Sequence, residues 1–372
     1  MNPNLKQLLL HIILLVVTFF TTTLAGVFWI HSKIVLANPI SWSEFLSGMA
    51  FSVPFLGILA IHEAGHYVTA RKNKVDTSLP YFIPFLPLFL GTMGAFIRIK
   101  ERIQSRREYF DIGIAGPLAG FVVALGVLFY GYATLPTYDY IYEIHPEYVG
   151  QGATLQESID AVATDSTTSF RFGKNLTMLF FENVVADPER VPPPQEMSHY
   201  PLLMAGFWAL FFTALNLLPI GQLDGGHILY GLIGTRKHRV VASILYIGLL
   251  FYSGLGLVSP FLPPVELAFN ALLYLGFLYV CLFSFTPDSR LRLFIAACIF
   301  TAQFVIKAFY PAVEGFGGWL LFAFLIGRVL GVGHPPAPED KPLSPARQVL
   351  GWIALIVFVI SFSPVPVSLV ME

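Results

Sequence analysis

The chain has 372 residues, of which 55% are hydrophobic and only 12% are charged. A soluble domain is about one-quarter charged, so this composition excludes an ordinary soluble protein and predicts a protein of the lipid bilayer. The formal net charge of −1 gives no support for a nucleic-acid partner. The two cysteines lie in separate apolar segments, which argues against a disulfide framework or a cysteine-based metal site.

Apolar segments of about 20 residues or more predict about nine membrane-spanning helices. They cover residues 8–30, 47–70, 110–134, 203–234, 240–259, 264–286, 291–310, 315–331 and 348–369. The first segment is longer than the apolar core of a signal peptide, so an uncleaved span is favoured, although residues 35–37 resemble a weak cleavage site. We therefore predict an all-α polytopic transmembrane bundle. Its parts are N-terminal spans at 1–135, an extracytoplasmic insertion at 136–200, a further span at 201–239 and C-terminal spans at 240–372.

The second apolar segment contains the sequence His62-Glu63-Ala64-Gly65-His66, the HExxH pattern that is typical of zinc peptidases. In a helix, His62 and His66 project from one face and can bind one metal ion. Glu63 lies close enough to that ion to activate a water molecule. Because ionisable groups in an apolar span are costly unless they are paired or bind a metal, we favour a zinc site over a chance occurrence of the pattern.

The apolar segment 79–100 does not resemble a spanning helix, because Pro80, Pro84 and Pro87 interrupt it. The segment Gly91–Phe96 mixes β-branched, aromatic and small residues. We predict a small membrane-embedded β-hairpin whose free edge can pair with an extended substrate, with a plain packing turn as the alternative. The candidate substrate-binding residues here are Gly91, Thr92, Met93, Gly94, Ala95 and Phe96.

Charged loops predict the orientation of the chain. Lysine and arginine cluster between the second and third spans and after the fourth and sixth, which puts them on one side if the spans alternate. By the positive-inside rule this side is cytoplasmic. The opposite side carries the acidic insertion 136–200, in which 172–185 predicts a short amphipathic helix and 188–197 an extended linker. We expect a multi-pass protein of a bacterial inner or plasma membrane, with its active site toward the cytoplasm.

A catalytic zinc ion needs a third protein ligand in addition to the two histidines. Asp224 is the only acidic residue of the fourth predicted span and lies twelve residues before Arg236. His66 lies five residues before Arg71, so at about 1.5 Å per residue the two sites fall in a similar layer near the cytoplasmic side. This agreement predicts that Asp224 completes the metal site, with helix capping or pairing to an arginine as the alternative.

The residues around Asp224 predict a distorted helix. Pro219 lacks an amide donor and Gly221 loosens the next turn. Asn216 needs a hydrogen-bond partner within the membrane, which is either a substrate carbonyl or another helix. His227 could bind the metal, but we favour a structural role for it. The remaining histidines show no partner pattern and receive no role: His11, His31, His145, His199, His238 and His334.

The two motifs resemble the site-2 protease family of intramembrane zinc metalloproteases, whose later motif is N-x-x-P-x-x-x-x-D-G. Asn216, Pro219, Asp224 and Gly225 fit that motif position by position. The sequences GTMGAF, GIAGP and GHPP are similar to the branch with cyanobacterial and plant-chloroplast members, and the resemblance covers about residues 50–235. No region resembles the PDZ or CBS modules that other members carry.

The resemblance implies that His62, His66 and Asp224 bind one zinc ion per chain and that Glu63 is the general base. It also implies that residues 91–96 pair with the substrate and that Asn216 positions the scissile peptide. The expected substrates are transmembrane proteins, with a possible upstream site-1-type protease. The oligomeric state is not indicated.

Two other classes of protein stay open. The chain could be a zinc-binding transporter or a pseudo-protease that binds membrane segments without cutting them, although the intact Glu63 argues against both. It could also be another HExxH protease whose third ligand is a glutamate. Against that, Glu266 and Glu314 lie at the extracytoplasmic ends of their predicted spans.

Overall fold

The computed structural model describes residues 3–35, 37–87, 89–162 and 168–371, and most of these residues are helical. The helices are α1 (Pro3–His31), α2 (Trp42–Lys72), α3 (Arg106–Ala133), α4 (Asp139–Ile144), α5 (Leu155–Val162), α6 (Leu176–Val184), α7 (Pro201–Leu217), α8 (Asp224–Ser253), α9 (Pro264–Cys281), α10 (Ser289–Phe309), α11 (Gly318–Leu325) and α12 (Pro345–Ser361). The strands are β1 (Tyr81–Pro84), β2 (Thr92–Phe96), β3 (Thr168–Phe172) and β4 (Val367–Met371).

Five helices within the described ranges are long and apolar enough to cross a membrane. They are Leu5–His31, Trp42–Lys72, Arg106–Ala133, Pro264–Ser284 and Ser289–Phe309. These helices confirm the first, second, third, sixth and seventh predicted spans, and the protein is therefore a membrane protein with several apolar helices. Three further apolar helices are shorter, namely Pro201–Leu217, Gly318–Leu330 and Pro345–Ser361. The total of nine spans stays a prediction.

The predicted continuous span 203–234 is wrong, because α7 ends at Leu217 and α8 begins only at Asp224. The segment between them contains Pro219, and Gly221 adopts a φ of 62° that favours glycine. The predicted break between the fourth and fifth spans is confirmed near its predicted position. Gly234, with φ 75° and ψ 172°, is non-helical, so α8 consists of two helical parts that meet at a kink.

The predicted span 348–369 is too long. Helix α12 ends at Ser361, and Pro364 and Pro366 follow it, so the helix cannot continue. Residues Val367–Met371 form β4, which pairs antiparallel with β3 of the insertion. The insertion also contains the predicted short helix, here α6, whereas the predicted extended linker 188–197 includes the 3-10 turn Pro188–Arg190.

The chain forms two compact units, which we describe separately. The first comprises Met1–Arg102, Ala115–Leu215 and Ile356–Glu372. In its core, α1 and α2 approach closely at Gly26 and Gly48, and Thr23 Oγ1 lies 2.7 Å from Ser52 Oγ. Small residues let helix backbones approach in this way inside a membrane. The contact fixes α2, the helix that carries the HExxH residues.

The second unit comprises Ile103–Ile114 and Asn216–Leu355. Hydrogen bonds from two arginine side chains join its parts. The Arg106 Nε donates to the carbonyl of Gly231 at 2.9 Å, and the Arg347 guanidinium donates to both carboxylate oxygens of Asp111 at 2.7 and 3.0 Å. Such two-point contacts between arginine and a carboxylate are stronger and more directional than single hydrogen bonds. They hold the first turns of α3 and α12 in the second unit.

We expect Gly48→Leu to destabilise the protein by about 1–3 kcal/mol, because the new side chain overlaps the α1 backbone. Gly57→Leu is the matched control, since an added Cβ there meets no described atom within 4 Å. Thermal unfolding in detergent, followed by intrinsic fluorescence, measures the difference. Equal unfolding midpoints for the two variants would contradict this account of the helix contact.

Candidate metal centre

Helix α2 begins with a complete capping box. The Ser41 side chain accepts a hydrogen bond from the Glu44 amide, and the Glu44 carboxylate accepts one from the Ser41 amide at 2.7 Å. These bonds satisfy amides that the first turn leaves without helical partners. The helix then continues past an internal Pro54 and through the HExxH residues to Lys72. The candidate metal ligands therefore lie on one continuous helix.

The structure brings His62, Glu63 and His66 together. Their nitrogen and oxygen ligand atoms lie within 4.8 Å of one another, and the residues are only 5–7% exposed. The two Nε2 atoms are 3.1 Å apart, and His62 Nε2 is 4.0 Å from Glu63 Oε1. Zinc–nitrogen bonds of about 2.0–2.1 Å in a tetrahedral site put two ligand nitrogens about 3.3 Å apart. The donor set therefore fits a zinc ion bound by both histidines.

Glycines of α3 make room for these imidazoles. An added Cβ at Gly116 would overlap the His66 ring, and one at Gly120 would lie 3.1 Å from the His62 Cβ. The backbones also meet directly, because a Cβ at Gly65 would lie 2.5 Å from the carbonyl oxygen of Ala115. The sequence GIAGP therefore has a physical role in addition to its similarity to the family motif, because it lets α3 pack against the face of α2 that carries the histidines.

The predicted pairing of two short strands is confirmed, and the location of this hairpin within the membrane stays a prediction. Strands β1 and β2 are antiparallel, with Tyr81 opposite Phe96 and Phe82 opposite Ala95. The hairpin is anchored to α1, since Thr21 Oγ1 donates to the carbonyl of Gly91 at 2.6 Å. Among the described strands, β2 pairs only with β1, so its second edge has no strand partner there.

The side chains of β2 alternate between the two faces of the hairpin. Thr92 is buried and donates from Oγ1 to the carbonyl of Ile83 at 2.8 Å, whereas Met93 is 60% exposed. Gly94 adopts a φ of 100°, a conformation that only glycine takes up without strain. A strand with one buried anchor and one exposed face can bind an extended peptide along its second edge.

Asp224 and Asn216 belong to the second unit. Asp224 is the first residue of α8 and is half-buried, and Asn216 lies in the last turn of α7. A carboxylate at a helix N-terminus interacts favourably with the helix dipole. An added Cβ at Gly225 would overlap the carbonyl of Leu217 at the end of α7, and one at Gly226 would overlap the carbonyls of Ile220 and Gly221. The loop between the two helices therefore folds tightly back on the start of α8.

His227 contacts another histidine of the second unit. Its Nδ1 lies 2.7 Å from His334 Nε2, and the Tyr109 ring stacks on it at 5.2 Å. His334 Nδ1 in turn lies 2.6 Å from the carbonyl of Pro335. The sequence predicted no role for His334. Its pairing with His227 cannot be recognised in the sequence, because 107 residues separate the two histidines. The contacts fit the structural role favoured for His227.

Comparison with known proteins identifies the family of this chain. The family model described as Peptidase family M50 matches residues 50–255, which include both sequence motifs. The chain belongs to this family. It is 32% identical over 206 residues to the probable zinc metalloprotease EGY1, chloroplastic, of Oryza sativa subsp. japonica, which covers 54% of this chain and 30% of the relative. The Arabidopsis thaliana protein of that name is 31% identical over 204 residues, covering 54% of this chain and 32% of the relative.

A third relative is the probable zinc metalloprotease EGY2, chloroplastic, of Oryza sativa subsp. indica, 28% identical over 241 residues. That match covers 64% of this chain and 39% of the relative, so the chain spans about a third of the length of these curated relatives. No solved structure matches the chain. The names of the relatives agree with zinc as the cofactor. Those names are also chloroplastic, so they do not support the predicted bacterial membrane.

We expect Gly116→Ala to weaken zinc binding by about 10- to 100-fold, because the added methyl group displaces the His66 ring. Gly126→Ala is the matched control on the same helix, where an added Cβ meets no described atom within 4 Å. Zinc content after dialysis against a graded chelator measures the effect. Unchanged zinc retention in a folded Gly116→Ala protein would contradict the packing described for the histidine face.

Proposed function

We propose that this chain is an intramembrane zinc metalloprotease that hydrolyses peptide bonds within or near the transmembrane segments of membrane-protein substrates. The observation that carries the proposal is the buried His62, Glu63 and His66 group on a helix long and apolar enough to cross a membrane. A hydrolytic centre in such a helix acts on peptide bonds that lie at the same depth in the membrane. Membership of Peptidase family M50 supports the reaction class.

We propose Asp224 as the third protein ligand. Three ligands leave one coordination position for water or substrate, which is the arrangement of catalytic zinc sites. Asp224 supports this role by its half-buried position at the start of α8 and by its match to the N-x-x-P-x-x-x-x-D-G motif. Because the segment before Asp224 is non-helical, no preceding helical turn covers the carboxylate.

Glu63 is the proposed general base. Lewis-acid polarisation of the scissile carbonyl and of a water molecule is the chemistry that zinc supplies at such a centre. The Glu63 carboxylate accepts a proton from the attacking water and returns it to the leaving amine. Glu63 is only 6% exposed, and this burial keeps bulk water away from the proton transfer.

Strand β2 is the proposed binding element for the unwound substrate. A peptide that leaves its helix inside a membrane exposes backbone groups, and hydrogen bonds to a strand edge compensate for this cost. The second edge of β2 supports this role because it has no strand partner among the described strands. We propose that residues Gly91–Phe96 hold the substrate and that the Asn216 amide orients the scissile peptide.

The topology forms part of the same proposal. About nine spans, with the loops rich in lysine and arginine on the cytoplasmic side, put the HExxH residues toward the cytoplasmic face. The acidic insertion 136–200 then lies on the opposite side. An upstream site-1-type protease that trims the substrate on that side would act first.

Glu63→Gln should lower the cleavage rate of a model single-span substrate by about 10²- to 10⁴-fold, because the amide cannot accept the proton. Zinc content should not fall, since the two histidines remain. Glu101→Gln, an exposed carboxylate outside the centre, is the matched control and should cleave normally. Cleavage in reconstituted vesicles, resolved by mass spectrometry of the products, measures both rates.

Undiminished cleavage by Glu63→Gln would refute the hydrolytic assignment. Binding of the substrate without cleavage by the wild type would instead favour the pseudo-protease. Zinc flux across the vesicle membrane without proteolysis would favour the transporter.

A further inference from the structure

A second group of histidine and glutamate side chains lies in the insertion, away from the HExxH sequence. His145 follows α4, and Glu196 and His199 lie on the 3-10 helix Glu196–His199. The ligand atoms of the three residues lie within 4.8 Å of one another. Glu196 and His199 are each only 3% exposed. All three residues belong to the first unit, and the proposed protease mechanism uses none of them.

The separations between the ligand atoms suit a single metal ion. His145 Nε2 lies 3.1 Å from His199 Nε2, which equals the separation between the two HExxH histidines. Glu196 Oε2 lies 3.4 Å from His199 Nε2 and 3.8 Å from His145 Nε2. Ligands of a tetrahedral zinc ion are about 3.3 Å apart, so all three atoms can point at one central position.

The outer ring nitrogens fix the orientation of both histidines. His199 Nδ1 lies 2.7 Å from the carbonyl oxygen of Ile30, which can only accept a hydrogen bond, so this nitrogen carries the proton. His145 Nδ1 lies 2.8 Å from a carboxylate oxygen of Glu147 and carries its proton for the same reason. In the neutral rings both Nε2 atoms therefore present lone pairs to each other. Metal-binding histidines show this arrangement, with the outer nitrogen donating to a carbonyl or carboxylate.

Glu196 provides an independent indication. Its Oε1 accepts a hydrogen bond from the Tyr148 hydroxyl at 3.2 Å, whereas its buried Oε2 has no hydrogen-bond partner among the described residues. A buried carboxylate oxygen without such a partner is costly, and a cation between it and the two imidazoles removes the cost. The unsatisfied oxygen and the two facing lone pairs are thus explained by the same ion.

We propose that His145, Glu196 and His199 bind a second divalent cation of the zinc class, distinct from the ion at the HExxH residues. The ion joins the segment after α4 to the 3-10 helix Glu196–His199. The His199–Ile30 hydrogen bond extends this link to the last turn of α1. The site is therefore a structural metal site that links the two ends of the insertion to each other and to the last turn of α1.

The local sequence contains a signal for this site. Glu196-Met197-Ser198-His199 is a Glu-x-x-His pattern, and in a 3-10 helix residues three apart lie directly above each other. His145 joins them from 54 residues away. The sequence prediction of one zinc ion per chain included only the site of His62, His66 and Asp224, because His145 had no recognisable partner.

The zinc content of the 372-residue chain in detergent tests the proposal, and we expect about two zinc ions per chain. Glu196→Gln and His199→Ala should each reduce this to about one. Glu143→Gln removes an exposed carboxylate from the same insertion and should leave both ions bound. The double variant His62→Ala/His66→Ala should keep the insertion ion, so the result does not depend on whether the chain is a protease.

Cobalt replacement in the His62→Ala/His66→Ala background isolates the second site and remains informative if His199→Ala fails to fold. Visible absorption bands of tetrahedral cobalt should appear with the wild-type insertion and disappear with Glu196→Gln. A wild-type protein with about one zinc ion, lost in the double variant, would overturn the proposal. So would a folded double variant that shows no cobalt bands, and the two histidines would then simply share a proton.

Discussion

Burying two imidazoles and a carboxylate in a helix that is apolar enough to cross a membrane costs free energy unless the groups share a ligand or exchange hydrogen bonds. His62, Glu63 and His66 meet this condition on one helical turn, with the histidine nitrogens 3.1 Å apart. The need to cover these groups shapes their surroundings. Neighbouring helices must come close enough to exclude lipid and water, yet leave space for two rings.

Glycine satisfies both requirements. Gly116 and Gly120 leave space for the rings, and Gly65 lets the α2 and α3 backbones meet. Gly26 and Gly48 bring α1 against α2 in the same way. The hairpin is then attached to α1 through the Thr21–Gly91 hydrogen bond. The proposed substrate strand is thus held by the helix that also supports α2.

Local patterns could predict the parts of this fold that depend on a single stretch of chain. Of the nine spans predicted from hydropathy, five are confirmed. The HExxH pattern identified the turn on which His62, Glu63 and His66 meet, and the prolines of 79–100 identified the hairpin. Helix ends were less predictable. Pro219 and Gly221 predicted a distortion before Asp224, but the apolar residues on both sides of Leu217 hid the complete break between two helices. The strand Val367–Met371 was missed for the same reason, since its apolar sequence pairs with a segment almost 200 residues away.

The same distinction separates the two histidine–glutamate groups. HExxH places its ligands within one turn, so the spacing alone reveals them. The group in the insertion draws His145 from one end of an irregular segment and Glu196 and His199 from the other, and only the folded chain brings them together. Short-range spacing is readable in a sequence because helix geometry is fixed, whereas loop paths depend on packing across the whole unit.

We propose, above all, that Asp224 is the third protein ligand of the metal ion at His62 and His66. The most direct test is the absorption spectrum of cobalt-substituted Asp224→Cys protein, because a thiolate bound to Co²⁺ gives an intense near-ultraviolet charge-transfer band. We predict that the band appears in this variant, is absent from the wild type with its native cysteines, and is lost when His62 and His66 are replaced by alanine. Cobalt bound by both histidines without a thiolate band would contradict the claim.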